Sequence, residues 1–329
     1  MPALSNAHRL CTAPMMDWSD RHCRYFFRQL APHARLYTEM VGTGALLHGD
    51  VARHLDFDPA EPPLALQLGG SEPADLAACA SLAAQWGYDG INLNVGCPSE
   101  RVQKGAFGAC LMAEPQLVAE CVRALRDASG LAVSVKHRTG IDRSESYAFL
   151  RDFVGAVAEA GCAIFIVHAR NAWLQGLSPK ENREVPPLRY DFVHRLKREF
   201  PALTIVLNGG LLDLASIETQ LRGVDGVMLG RAAYHDSWLL AQADARLFDD
   251  ASRTRADVVR AMIAYAERQR AQGVALRKIA RHMLGLYHGM PRARLWRRLL
   301  SDSARLAAND AALLAEALEA VEGRFADAA

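Results

Sequence analysis

Several features are missing from this chain, and each absence removes a class of protein. No stretch approaches the roughly 18 uncharged apolar residues of a membrane-spanning helix, and Met1 to His8 carries no apolar leader, which predicts a cytoplasmic protein with no membrane partner. Cys11, Cys23, Cys79, Cys97, Cys110, Cys121 and Cys162 are odd in number and contain no CxxC pair, so neither a disulfide framework nor a metal site is expected. No GxGxxG opens the first structural unit, which disfavours a dinucleotide-binding open sheet. Neither sign of charge dominates, with 38 basic against 37 acidic residues and a net +1. Internal repeats and low-complexity tracts are lacking too.

What is present is apolar and periodic. Half of the 329 residues are hydrophobic, enough for a large core, and the length suits a barrel of about 250 residues plus an appendage. Short aliphatic and β-branched runs predict strands over Arg9–Ala13, Arg35–Glu39, Leu64–Leu68, Gly90–Asn94, Ala132–Lys136, Ala163–Val167, Leu203–Leu207 and Asp225–Leu229. Helical spacing between them is best over Pro73–Trp86, Pro115–Ala128, Glu145–Ala160, Tyr190–Glu199 and Leu214–Leu221, the third with Ser144 as a candidate cap. Eight such units predict a closed (β/α)8 TIM barrel over residues 1–245. The strand signal then stops. Val258–Arg270 and Ala311–Val321 predict an all-helical domain over 246–329, with monomer as the default state.

The balanced net charge conceals an asymmetry. Arg253 to Arg305 holds thirteen Lys or Arg against three acids, a local +10, so the remainder carries −9. A segment of that sign attracts a polyanion, although charged helical faces are often simply solvated.

Barrel enzymes place their chemistry at the C-terminal ends of the strands. Here those ends supply Pro14-Met15-Met16, Glu39, Gln67, Asn92 and Asn94 with Gly96-Cys97-Pro98, Lys136 with Arg138, His168 with Arg170, Asn208-Gly209-Gly210, and Gly230-Arg231. One polar strand end means little; a polar group at every end is a site. Glycines after the seventh and eighth strands expose backbone N–H groups to a phosphate, and Arg231 adds a forked donor. Lys136 closes an otherwise apolar strand and needs an anionic or electron-rich partner; a Schiff-base lysine competes with that reading. Gln67 both donates and accepts, matching a pyrimidine-like ring edge, and His168 adds a donor to phosphate or ring. Together they suit an isoalloxazine mononucleotide, whose reduced ring is stabilised by a cation. Six cysteines fit the usual buried role. Cys97 differs, because Gly96 and Pro98 fix a loop around it over the barrel mouth, where an ordinary, largely protonated thiol serves as a general acid.

Ala13-Pro14-Met15, Gln67, Asn92-Leu-Asn-Val-Gly-Cys-Pro-Ser99, Lys136, His168, Asn208-Gly-Gly210 and Gly230-Arg231 closely resemble, in order and spacing, the tRNA-dihydrouridine synthases. The likeness extends over nearly the whole chain. Three longer strings, Asp17 to Tyr25, Gly176 to Pro187 and Arg281 to Leu286, are similar to the A subfamily, which acts at tRNA positions 20 and 20a. The resemblance implies FMN, held by Pro14, Met15, Met16, Gln67, Lys136, His168, Asn208, Gly209, Gly210, Gly230 and Arg231, with NADPH as reductant. It implies hydride transfer to C6 of a D-loop uridine and protonation of C5 by Cys97. Asn94 would hold the base edge with help from Arg138, and Lys180, Arg183, Arg294 and Arg297 would contact the tRNA. A target base buried in folded tRNA must be extruded, which asks for a basic scaffold that grips phosphates. Two competing readings are a flavin barrel acting on a small molecule, for example in the manner of a dihydroorotate dehydrogenase or an ene-reductase, and a non-enzymatic RNA chaperone.

Overall fold

In the computed structural model, residues 7–100, 102, 105–250 and 253–323 are described. Eight strands form one parallel sheet: β1 (Leu10–Thr12), β2 (Leu36–Gly42), β3 (Leu64–Gly69), β4 (Gly90–Val95), β5 (Ala132–Arg138), β6 (Ile164–His168), β7 (Thr204–Asn208) and β8 (Gly226–Leu229). Their spatial order is β1-β8-β7-β6-β5-β4-β3-β2. Backbone bonds from Thr12 N to Arg35 O (3.0 Å) and from Arg35 N to Leu10 O (2.9 Å) bring β1 back beside the start of β2 and close the ring. This is the (β/α)8 barrel. Strands packed on both faces read as continuous apolar runs, which is why β6, β7 and β8 stand out so clearly in the sequence.

Cys11, Ala13, Tyr37, Ala65, Ile166, Val206 and Met228 pack together inside the barrel, with Met15 against them. The register of β2 on β3 shifts between Tyr37 and Met40. At that irregularity Thr38 Oγ1 accepts from Gln67 N (3.0 Å) and donates to Glu39 O (2.7 Å).

The helices between strands follow ordinary end chemistry. Pro73–Trp86 starts on proline and stops at Gly87 in the left-handed region (φ 83°), and Pro115–Ser129 does the same with Gly130 (φ 66°). Leu214–Leu221 lies where its spacing predicts, capped by Asp213 with Ser216 returning the bond. The cap expected at Ser144 is instead Ser146, whose hydroxyl accepts from Phe149 N (3.1 Å) at the start of the helix Tyr147–Glu159. Ser144 is taken by a bridge to Ile141, so the chain is still extended there.

By backbone proximity the chain forms two compact units: the described residues of Met1–Asp17 and Ala34–Gly230, and those of Trp18–His33 and Arg231–Ala329. The first contains the barrel. The second is helical, and it includes the helix Arg21–Leu30 as well as Arg255–Ala271, Ala293–Leu300 and Ala312–Glu322. Within it Tyr25 stacks on Tyr265 with ring centroids 3.9 Å apart, and fully buried Trp296 donates Nε1–H to Met283 O (2.8 Å). No helix among the described residues is long and apolar enough to cross a membrane.

Candidate active site

The centre of the site is the turn that follows β4. Asn94 Oδ1 accepts from both Gly96 N (3.1 Å) and Cys97 N (3.0 Å), so one amide oxygen folds the chain into the loop that carries the thiol. Behind the loop, Ala109 N donates to Cys97 O (2.9 Å). Gly96 runs so close to β5 that an added Cβ would lie 3.3 Å from Lys136 O and 3.4 Å from His137 Cα. The Cys97 thiol is half-buried and reaches Ser99 Oγ at 3.5 Å.

Asn94 is also tied to the neighbouring strands. Its Nδ2 donates to Gln67 Oε1 (3.0 Å), Gln67 Nε2 donates to Asn92 Oδ1 (2.6 Å), and Asn92 Nδ2 donates to Ser134 Oγ (2.9 Å). Gln67 and Asn92 are buried, at 1% and 0% exposure, so water does not compete for these bonds. Ser134 is a component that sequence reasoning passed over. Its one signal is a hydroxyl two residues before Lys136, on the same face of a strand that otherwise alternates with valine.

Lys136, half-buried at the end of β5, lies next to Asn94 in the β4–β5 register. Burial, with the Arg138 cation adding to it and the Cys97 thiol opposing, pulls its ammonium down to about 7. No carboxylate among the described residues is one of the charges acting on it. Lys136 therefore stands ready for an anionic or electron-rich guest. His168 on β6 is buried and held well below the ordinary histidine range by burial and by Arg138, Lys136, Arg170 and Arg183, which keeps the ring neutral.

Arg138 is 4% exposed and spends its donors on backbone: Nε to Gly96 O (3.1 Å), Nη1 to Asn182 O (2.9 Å) and Asn171 O (3.3 Å). It joins the cysteine loop to the excursion after β6. Burial lowers its guanidinium to about 10. In that excursion Lys180 and Arg183 are exposed on either side of fully buried Asn182. Asn182 Oδ1 accepts from Trp173 N (2.7 Å), while Nδ2 donates to Trp173 O (2.9 Å) and Leu177 O (3.1 Å). Asn182 was not singled out in the sequence, where it is one polar residue among many.

After β7, Gly209 and Gly210 both have positive φ (107° and 72°), and a Cβ on Gly209 would stand 2.7 Å from His168 Cδ2. Only glycine fits there. Asn208 is buried and donates Nδ2–H to Met228 O (2.8 Å). After β1, Pro14 and Met15 are half-buried and Met16 is 55% exposed. Gly230 follows β8, and Arg231 opens the short helix Arg231–His235.

The barrel unit thus brings Gln67, Asn94, Cys97, Lys136, His168, Asn208 and the glycine pair to one end of one barrel. In the helical unit, Arg294 and Arg297 are exposed on Ala293–Leu300 and share an open groove of about 440 Å³ with His288, Met290 and Arg292.

A flavin mononucleotide fits the chemistry of the barrel residues: a half-buried lysine with no acidic partner among the described residues, a buried amide with donor and acceptor fixed, a neutral imidazole, and backbone that a Cβ would block. The family model described as dihydrouridine synthase matches residues 11–322. Among curated relatives, a tRNA-dihydrouridine(20/20a) synthase of Xanthomonas axonopodis pv. citri is 56% identical over 96% of this chain and 95% of its own. Proteins of the same name are 56% identical in Pseudomonas aeruginosa, over 97% of this chain and 96% of theirs, and 56% identical in Salmonella typhimurium, over 96% of each. With a match of that extent over a barrel whose strand ends carry this set of groups, the chain belongs to the dihydrouridine synthase family.

Proposed function

We propose that this protein reduces the C5–C6 bond of uridine at positions 20 and 20a in the D-loop of tRNA, giving 5,6-dihydrouridine, with FMN as cofactor and NADPH as reductant. The observation that carries the reading is the placement of Cys97: a half-buried thiol on a loop pinned through Asn94, beside Lys136 and over the mouth of the barrel. FMN held there would supply hydride chemistry toward C6, with NADPH as the source of the electrons.

The chain's own residues do the rest. Lys136, Gln67, His168, Asn208, Gly209, Gly210, Gly230, Pro14, Met15 and Met16 would hold the flavin, Lys136 supplying a cation, Gln67 a fixed donor and acceptor, His168 a neutral donor, the glycines open backbone and the Pro14–Met16 stretch apolar cover. Cys97 Sγ gives its proton to C5, and solvent reprotonates the thiolate; two electrons and one proton enter the base as hydride, a second proton follows from the thiol, and the thiol is restored. Asn94 and Arg138 keep that loop in place, and Lys180 and Arg183 present exposed charge to phosphate. Residues 246–329 carry the basic face whose Arg294 and Arg297 grip the tRNA, so the enzyme works where tRNA does, in the cytoplasm.

The test is dihydrouridine mapping on unmodified tRNA incubated with protein, FMN and NADPH. Dihydrouridine is expected at positions 20 and 20a. Formation only at other positions, or none with FMN bound, would overturn the reading.

A further inference from the structure

The amides between β5 and the cysteine loop are linked head to tail, and both ends of the line have a fixed polarity. At one end stand groups that accept: Asn92 Nδ2 lies 3.4 Å from Ser134 O, and Ser134 Oγ, its own proton donated to Ile91 O at 3.2 Å, has only lone pairs left for Asn92. At the other end stand groups that only donate, the backbone N–H of Gly96 and Cys97. Turning any one amide over sets nitrogen against nitrogen or oxygen against oxygen at two contacts for Gln67 and at three for Asn92 or Asn94. Turning all three leaves Asn94 Nδ2 facing two N–H groups. One arrangement survives.

We propose that Asn92 and Ser134 are positioning residues that, through this polarised line, decide which end of the Gln67 amide accepts and hold the Cys97 backbone in place. Neither reaches the mouth of the barrel. Their influence on a ligand runs through Gln67, which keeps one N–H and one oxygen lone pair at fixed places for a planar heteroaromatic edge. Their influence on proton transfer runs through Asn94. One buried network thereby sets both partners of the reaction, the ring edge and the thiol loop. The inference rests on the flavin reading for its ligand, while its claim about the thiol loop stands without it.

The experiment uses Asn92→Asp in the full chain, a change of shape too small to disturb packing. When protonated, the introduced carboxyl still donates to Ser134; when ionised, it sets oxygen against Ser134 O and can keep Ser134 Oγ only by drawing its proton away from Ile91 O. The other titratable groups on the surrounding strands, Tyr37 on β2, Lys136 and His137 on β5, and Cys97 after β4, are common to both proteins, so each quantity is read as a variant-to-wild-type ratio. Two quantities are followed from about pH 5.5 to pH 8: the Kd for FMN by flavin fluorescence, and the rate of iodoacetamide alkylation of Cys97 in flavin-free protein. Both ratios are expected to move by about tenfold across this range, since ionisation breaks a buried donor–acceptor contact. A residue that merely fills space gives ratios that do not vary with pH. A pH-independent alkylation ratio overturns the proposal. Should wild-type protein bind no FMN, the flavin reading fails, and the alkylation ratio alone decides the inference. Should Asn92→Asp not fold, Ser134→Ala replaces it: a change of about threefold in Cys97 alkylation supports the line and an unchanged rate overturns it.

Discussion

The wall of the barrel around Cys97 and the arginine face of Ala293–Leu300 are built on opposite plans. Around Cys97 the polar groups are buried and satisfy one another, from Ser134 through Asn92, Gln67 and Asn94 to the loop backbone, with Arg138 bonded to Gly96 O on the other side. On the helix the functional candidates Arg294 and Arg297 are exposed, and the residue that holds the helix down is buried Trp296. Under the proposed function, the contrast follows from what each region would have to do. Proton transfer depends on an atom placed to a fraction of an ångström, and this calls for preorganised, desolvated hydrogen bonds. Gripping a phosphate backbone depends on charge that can adjust, and this calls for long cations on a firm scaffold.

Four changes test how separable the two plans are. Removing both Arg294 and Arg297 as alanines should weaken tRNA binding by about 30-fold in low salt while the affinity for FMN stays the same. Filter binding and flavin fluorescence on one preparation measure both; a matching loss of FMN would show that the regions are not separate. Next in size is a pH effect. Lys136 titrates near 7 in the ligand-free protein, so below that pH it meets the anionic reduced ring already charged, and above it each binding event must take up a proton. Affinity for reduced FMN should fall by up to about tenfold per pH unit above 7, and Lys136→Met should remove that slope while binding more weakly at low pH. Anaerobic titrations of the two proteins give the difference directly.

A smaller effect is expected at Asn182, whose side chain holds Trp173 and Leu177 and whose carbonyl receives Arg138. Asn182→Ala should destabilise the fold by about 2 kcal/mol in denaturant unfolding, leaving part-buried backbone groups of Trp173 and Leu177 unmet. The smallest is the single Arg294→Ala change, which should lower the dependence of log Kd on log salt by about one unit. An unchanged slope would move the phosphate contact to another arginine of that groove.

The barrel was legible because its strands are short and mostly apolar with helical spacing between them, and every expected strand overlaps an observed one. The helix Arg21–Leu30 was not, since buried Arg24 and Arg28 interrupt its apolar pattern; their guanidinium groups turn back onto Ser19 O and Ala31 O. The expected cap Ser144 lies two residues before the true one, Ser146, because helical spacing extends past the real start, and only the Ile141 bridge shows where the chain is still extended. The groups at the strand ends could be named from position alone, because the fold dictates where a barrel works. Their mutual bonds could not. Gln67 and Asn92 are 25 residues apart and Asn92 and Ser134 are 42 apart, so nothing local in the sequence announces that they share hydrogen bonds.

In the proposed reaction the fixed thiol of Cys97 protonates the base and has no part in loading the flavin. The measurement that reaches this most directly follows the two half-reactions of Cys97→Ala separately: flavin reduction by NADPH, then oxidation of the prereduced protein by tRNA in a single turnover. The account predicts an unchanged first rate and a second rate slower by about a hundredfold or more. Equal rates in variant and wild type for the second step, or equal slowing of both, would contradict it.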